Sequence, residues 1–90
     1  MNMYETYNKL TEQEQIECVK KDSFSIIWIQ NPSENVLVEV LKQRATEIGY
    51  INNPSELLQM TAIRTSQLAM NLIDFPTEKA TQLHKMLWEI

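Results

Sequence analysis

Asn31-Pro32-Ser33-Glu34 returns 22 residues later as Asn53-Pro54-Ser55-Glu56, and after another 22 residues as Phe75-Pro76-Thr77-Glu78. One step of 22 residues towards the N-terminus leads to Leu10-Thr11-Glu12. The residues before each motif keep the same register, with an apolar residue followed by isoleucine: Trp28-Ile29, Tyr50-Ile51 and Leu72-Ile73. Self-similarity at a fixed period of roughly 20 to 50 residues is the signature of stacked repeat units.

The period divides this chain of 90 residues into consecutive segments of one helical-repeat domain. We predict three full units and two shorter ends: a leading segment 1–9, units 10–31, 32–53 and 54–75, and a terminal helix in 76–90.

Each motif has the properties of an α-helix start. Asn31 and Asn53 are predicted N-caps, because an Asn side chain accepts a hydrogen bond from an unpaired backbone N–H. Proline then occupies the first helical position, and the following Glu completes a capping box and complements the helix dipole. In the first unit Thr11 and Glu14 offer a capping box, and in the last unit Asp74 or Thr77 is the predicted cap.

Two helices are predicted in each unit. After each motif apolar residues return at helical spacing, which predicts helix A. A polar break follows, and then an apolar pair at i, i+3 predicts a shorter helix B: Ile26 and Ile29, Ile48 and Ile51, Met70 and Ile73. One helix pair of this size cannot bury its apolar stripe alone, so the units are expected to stack. The predicted fold is all-α, a short α-solenoid or helical superhelix of 22-residue helix-pair repeats.

Composition limits the functional classes. The chain is 43% apolar with a net charge of -4, and its eight Lys and Arg residues form no run longer than Lys20-Lys21, so nucleic acid is a poor candidate partner. No apolar stretch approaches the roughly 20 residues of a membrane span, and no secretory signal is evident. The single cysteine, Cys18, excludes an internal disulfide and fits a reducing compartment. We expect a cytoplasmic protein with no membrane contact and no cofactor.

The pattern aromatic-Ile-x-Asn-Pro-Ser-Glu resembles an uncharacterised helical repeat, a domain of unknown function that occurs in tandem arrays in bacterial, protist and phage proteins. Residues 28–34 and 50–56 carry the resemblance, which extends over roughly residues 11–78. It implies a helical array and brings no catalytic residues. Glycine is common between helices A and B of that family, whereas Asp22, Arg44 and Ser66 stand here, so the turn is expected to differ.

Enzymatic chemistry lacks its usual parts in this sequence. Cys18 shares a column with Val40 and Ala62 and is predicted to be a core residue, and a catalytic pair with His84 would lack an orienting third group. Glu12, Glu14 and Glu17 are expected to form a solvated helix face. Since Gly49 is the only glycine, no Gly-rich phosphate loop can form, and no metal-ligand spacing occurs. We predict that the chain is not an enzyme and holds no metal.

Two groups of apolar residues are candidate partner-binding sites. Trp28 and Tyr50 lie in the column that precedes the recurrent isoleucine, where they either pack between units or present an aromatic ridge. Met86, Leu87 and Trp88, with Ile90, make the last helix unusually apolar, although terminal repeats normally expose a polar face. That end is therefore a candidate surface for self-association or a partner.

We expect a protein–protein interaction module. The resemblance and the small size favour a phage-encoded accessory protein that binds and inhibits a host or defence protein. Two alternatives stay open. An acidic nucleic-acid mimic would need Glu12, Glu14, Glu17, Glu34, Glu39 and Glu56 on one face, and a self-associating structural protein would use the C-terminal helix as a homo-oligomer contact.

Overall fold

The structure is a computed structural model that describes residues 2–89. Within this range the chain forms α-helices and short 3-10 helices, and no strand occurs there, which confirms the all-α prediction. The elements in chain order are α1 (Met3–Asn8), α2 (Glu12–Lys21), η1 (Ser23–Trp28), α3 (Glu34–Gln43), η2 (Ala45–Tyr50), α4 (Glu56–Thr65), η3 (Gln67–Leu72) and α5 (Glu78–Trp88).

Helices α2 to α5 begin at residues 12, 34, 56 and 78, so their starts have the 22-residue spacing of the sequence motif. In the packing, α2 contacts α3, α3 contacts α4 and α4 contacts α5, while η2 contacts η3 on the same side. The molecule measures 50 × 22 × 17 Å along its principal axes. The division into units 10–31, 32–53 and 54–75 stays a prediction.

The helix caps correct the interpretation of the motif. Ser33, Ser55 and Thr77 are the N-caps, with their hydroxyl oxygens accepting from backbone N–H groups at 3.3, 3.2 and 3.1 Å. The prediction that Asn31 and Asn53 cap these helices is wrong. They lie two residues earlier, with φ of 50° and 48°. The physical reason is that the chain reverses there, and Asn tolerates the left-handed region better than most residues.

Two cap predictions are confirmed. Thr11 and Glu14 form a reciprocal capping box, with N···O distances of 3.1 and 2.9 Å. Thr77, rather than Asp74, caps α5. In α3 and α4 the motif glutamates Glu34 and Glu56 are the first helical residues and do not close a capping box, because the N3 positions are Val36 and Leu58.

The predicted helix B is a 3-10 helix in each case, which agrees with its i, i+3 apolar pair. η1, η2 and η3 have six residues each. The residues before them, Asp22, Arg44 and Ser66, have φ of -152°, -137° and -155°. All three φ values are negative and open to residues with a side chain, so the turn needs no glycine. Asp22 and Ser66 also cap η1 and η3 with their side chains.

The core consists of two clusters of buried side chains. The N-terminal cluster comprises Val19, Ile29, Val36 and Val40. The C-terminal cluster is larger and comprises Leu41, Ala45, Ile48, Leu58, Ala62, Ile63, Ala69, Ile73 and Ala80. Val19, Leu41 and Ile63 are equivalent along the period, and each is 0% exposed. Burial of one such side chain contributes about 1.5–3 kcal/mol.

Side-chain hydrogen bonds also join neighbouring helices. Gln43 Nε2 donates to the Val19 carbonyl at 2.9 Å, and the Ser55 hydroxyl donates to the Glu34 carboxylate. At Glu12, hydrogen bonds first from the Ser33 side chain and then from Asn35 hold the pKa of the carboxyl below its ordinary value. The contacts of Glu12 and Glu34 tie the first turn of one helix to the start of the next, and the contact of Gln43 joins the C-terminal ends of α2 and α3.

Within residues 2–89, no helix combines the length and the hydropathy that crossing a bilayer requires.

Candidate partner-binding site

A cleft of about 460 Å³ lies beside η2 and η3. One wall is formed by residues 49 and 51–54, and the other by residues 72–75. Both walls contain the chain reversal that follows a 3-10 helix, so the cleft lies where two such reversals come side by side. Its volume is within the range of roughly 300–1,000 Å³ that ligand pockets occupy.

Gln59 forms the floor and fixes the distance between the walls. Its side chain is 4% exposed. Its Nε2 donates to the Pro54 carbonyl at 3.1 Å, and its Oε1 accepts from the Thr77 backbone N–H at 2.9 Å. One buried carboxamide therefore joins the loop before α4 to the loop before α5. Because both of its polar ends are paired, the floor is a fixed surface.

The polar rim carries unused hydrogen-bonding groups. The side chains of Asn52, Asn53 and Asp74 are exposed. Among the contacts of residues 2–89, no side-chain hydrogen bond or ion pair involves these three groups. No Lys, Arg or His lines the cleft, so the Asp74 carboxylate has no cationic neighbour on the lining. The rim thus offers donors and acceptors to a bound molecule.

The apolar rim is formed by exposed side chains of the second wall. Phe75 is 88% exposed and Leu72 is 41% exposed. Tyr50 is 83% exposed and stands between Gly49 and Ile51, which both line the cleft. Large exposed aromatic side chains beside a concavity are typical of protein-binding surfaces, since aromatic residues are enriched among binding hot spots.

The structure separates the two aromatic residues that the sequence placed in one column. Trp28 is half-buried and packs edge-on against Tyr4, with ring centroids 5.3 Å apart and planes at 75°. Tyr50 is exposed, and its two neighbours in the chain line the cleft. Trp28 therefore stabilises the contact of α1 with η1, and of the two only Tyr50 is available on the surface near the cleft.

The C-terminal group divides in a similar way. Met86 is 79% exposed and Leu87 is 42% exposed. The indole N–H of Trp88 donates to the Ile63 carbonyl at 2.8 Å, which gives a partner to one of the terminal carbonyls of α4. Trp88 thus holds α5 on α4, and Met86 is the most exposed member of the group. Ile90 lies outside the described residues.

Several residues of the cleft were not predicted as site residues. Gly49, Gln59 and Phe75 occupy the positions of Ile27, Leu37 and Asn53 one period earlier. The available signal was a change of residue type at these positions, because Gly49 and Gln59 replace apolar residues and Phe75 replaces a polar one. Asn52 and Asp74 carry no such signal, since exposed polar residues are usual in turns.

The residues considered for catalysis are far apart in the packing order. Cys18 is half-buried on α2, and His84 lies on α5, with α3 and α4 between them. His84 Nδ1 lies 3.2 Å from Glu89 Oε2. Within residues 2–89, no group of three or more His, Cys, Asp and Glu side chains is placed to hold a metal ion.

No family model, curated protein or solved structure matches this chain. The resemblance to the tandem helical repeat of unknown function therefore stays a prediction.

Proposed function

We propose that this chain is a small α-solenoid that binds another protein through the cleft beside η2 and η3. The single observation that carries the proposal is the exposure of Tyr50 and Phe75, at 83% and 88%, beside a concavity with a fixed floor. Neither ring contributes to the buried clusters. Burial of both rings in a partner would recover the hydrophobic free energy that the folded chain leaves unused.

The solenoid interpretation is supported by the spacing and the packing order of the helices. The α-helices start 22 residues apart, and each contacts the next one. Solenoids bind partners by shape along the surface that stacking creates. The context we propose is a phage-encoded accessory protein that inhibits a host or defence protein, which the resemblance and the small size favour.

Self-association is the second candidate, and the exposure of Met86 at 79% favours it. One residue opposes it. Lys85 is exposed at the position where Val19, Leu41 and Ile63 are fully buried. A further helix stacked there would have to desolvate an ammonium group, which is costly without a paired charge. The nucleic-acid mimic has less support, because Glu12 and Glu34 accept hydrogen bonds from neighbouring helices.

The test is a pull-down with the tagged chain from a lysate of the source organism or its host, together with light scattering of the purified chain. Three proteins are compared: the wild type, Tyr50→Ser/Phe75→Ser, and the matched control Met86→Ser/Leu87→Ser. We expect one stoichiometric partner that the first variant loses and the control retains.

If the Met86→Ser/Leu87→Ser variant loses the partner and the Tyr50→Ser/Phe75→Ser variant retains it, the binding surface lies on α5. Oligomers that only the Met86→Ser/Leu87→Ser variant disrupts would establish self-association instead. If the wild-type chain captures no partner in a stoichiometric amount, the proposal is wrong.

A further inference from the structure

Gly49 has no conformational reason to be glycine. It lies inside η2, and no glycine of the described chain has a positive φ. It has no steric reason either, because a Cβ at this position would meet its nearest neighbour, the Leu72 Cβ, at an ordinary 3.6 Å. Glycine nevertheless loses more conformational freedom on folding than any other residue. The same position is Ile27 one period earlier and Asn71 one period later.

The effect of Gly49 is to leave the cleft wall bare. Gly49 is exposed and lines the cleft, so the peptide backbone itself forms that part of the surface. A bare backbone on a binding surface permits the close approach of another backbone or a ligand. The unexplained glycine therefore points to a bound molecule that comes close to η2.

The rim indicates which kind of molecule fits. The carboxamides of Asn52 and Asn53 each offer donors and an acceptor, which is the pattern of a peptide backbone. Asp74 is a carboxylate with no cationic neighbour on the lining, and the whole chain has a net charge of -4. A cation is the complementary charge, whereas a phosphate backbone would be repelled.

We propose that the cleft binds an extended peptide segment that carries a lysine or arginine. The peptide backbone passes over Gly49 and pairs with the carboxamides of Asn52 and Asn53, and its cationic side chain faces Asp74. This inference rests on the proposed function and gives the chemical class of the partner segment.

The experiment is a selection of displayed random peptides against the full chain, followed by fluorescence anisotropy with the selected peptides after synthesis. We expect enrichment of Lys or Arg at one fixed position. Asp74→Asn should weaken binding by about two- to fivefold at low ionic strength, the range of an exposed charge pair, and added salt should remove the difference. The matched control Glu17→Gln, which removes one negative charge from α2, should bind as the wild type does.

Gly49→Ala is the sharper variant because it separates binding from folding. It should weaken binding by at least about tenfold, which is about 1.4 kcal/mol. It should also raise the melting temperature, by about 2–6 °C, because alanine reduces the freedom of the unfolded chain. A melting temperature below that of the wild type would assign Gly49 a structural role and overturn the argument.

Three further outcomes would overturn the proposal. The first is a selection that enriches no peptides, or only peptides that lack Lys and Arg. The second is displacement of the bound peptide by a labelled single-stranded DNA. The third is a wild-type dimer that dissociates in the Asp74→Asn variant. The proposed function is tested separately. A protein partner that depends on Tyr50 and Phe75 but contains no basic extended segment would remove only this inference.

Discussion

The contact of residues 10–31 with 32–53 and the contact of residues 32–53 with 54–75 are built from the same kinds of element, and the cleft of about 460 Å³ lies at the second. We call them the N-terminal and the C-terminal junction. Among the positions at which they differ, Ile27, Leu37 and Asn53 of the first become Gly49, Gln59 and Phe75 of the second. The exchange removes a side chain from one wall, places a carboxamide on the floor and adds an exposed ring to the other wall. Equivalent positions that stay apolar and buried therefore hold the helices together. Positions at which the residue type changes between units shape the surface.

The largest expected effect is in the cores of the two junctions. Ile63→Ala should lower the free energy of unfolding by about 2–5 kcal/mol, because it creates a cavity in the larger cluster. Val19→Ala removes fewer atoms from the smaller cluster and should cost less. Urea denaturation followed by circular dichroism measures both values. If Val19→Ala were as costly as Ile63→Ala, the two clusters would not differ in packing as the structure indicates.

The next effect concerns the chain reversals that form the cleft walls. Asn53→Ala should cost about 1 kcal/mol, because alanine lacks the local hydrogen bonding that lets Asn adopt a positive φ. Asn53→Gly should leave stability within a few tenths of a kcal/mol. Phe75 is the matched control, since it occupies the equivalent position without a positive φ and is 88% exposed. Phe75→Ala should change stability by less than about 0.5 kcal/mol. Equal losses in Asn53→Ala and Phe75→Ala would contradict this account of the turn.

A smaller effect is expected where side chains satisfy helix-terminal carbonyls. Trp88→Phe retains most of the ring but removes the N–H that donates to the Ile63 carbonyl, and should cost about 0.5–1.5 kcal/mol. Gln43→Met removes the equivalent bond to the Val19 carbonyl. Gln43 is exposed, so water can replace it and the loss should be smaller. Thermal melts of both variants show which one loses more stability. A larger loss in Gln43→Met than in Trp88→Phe would contradict the stabilising role of the indole hydrogen bond.

The elements of this fold were predictable because each depends on local pattern. Helix starts 22 residues apart, the i, i+3 spacing of the 3-10 helices and the Thr11–Glu14 capping box all follow from neighbouring residues. The cap at Ser33 was missed for a specific reason. Asn and Ser are both good N-caps, and the sequence does not show which of them takes the left-handed conformation.

The candidate site was only partly predictable. Tyr50 could be identified from its position before the recurrent isoleucine. Its exposure could not, because exposure depends on how η2 and η3 pack against each other. Gln59 belongs to the cleft only because α4 brings it to the Pro54 carbonyl and the Thr77 N–H, which are 5 and 18 residues away in the sequence. Such contacts between distant residues are set by the packing of whole helices, which periodicity alone does not specify.

The smallest expected effect is a pH dependence at the N-terminal junction. Hydrogen bonds from Ser33 and Asn35 lower the pKa of Glu12 in the folded chain below its ordinary value. A carboxyl whose pKa is lower in the folded chain than in the unfolded chain binds its proton more tightly when the chain is unfolded. Its contribution to the stability of the fold is therefore fully present above the unfolded pKa and is lost as the pH falls through the folded pKa. The melting temperature of Glu12→Gln should therefore fall less steeply in acid than that of the wild type. Circular dichroism melts of both proteins between neutral and acid pH measure the difference. An acid profile of Glu12→Gln as steep as that of the wild type would contradict the role given to this carboxylate.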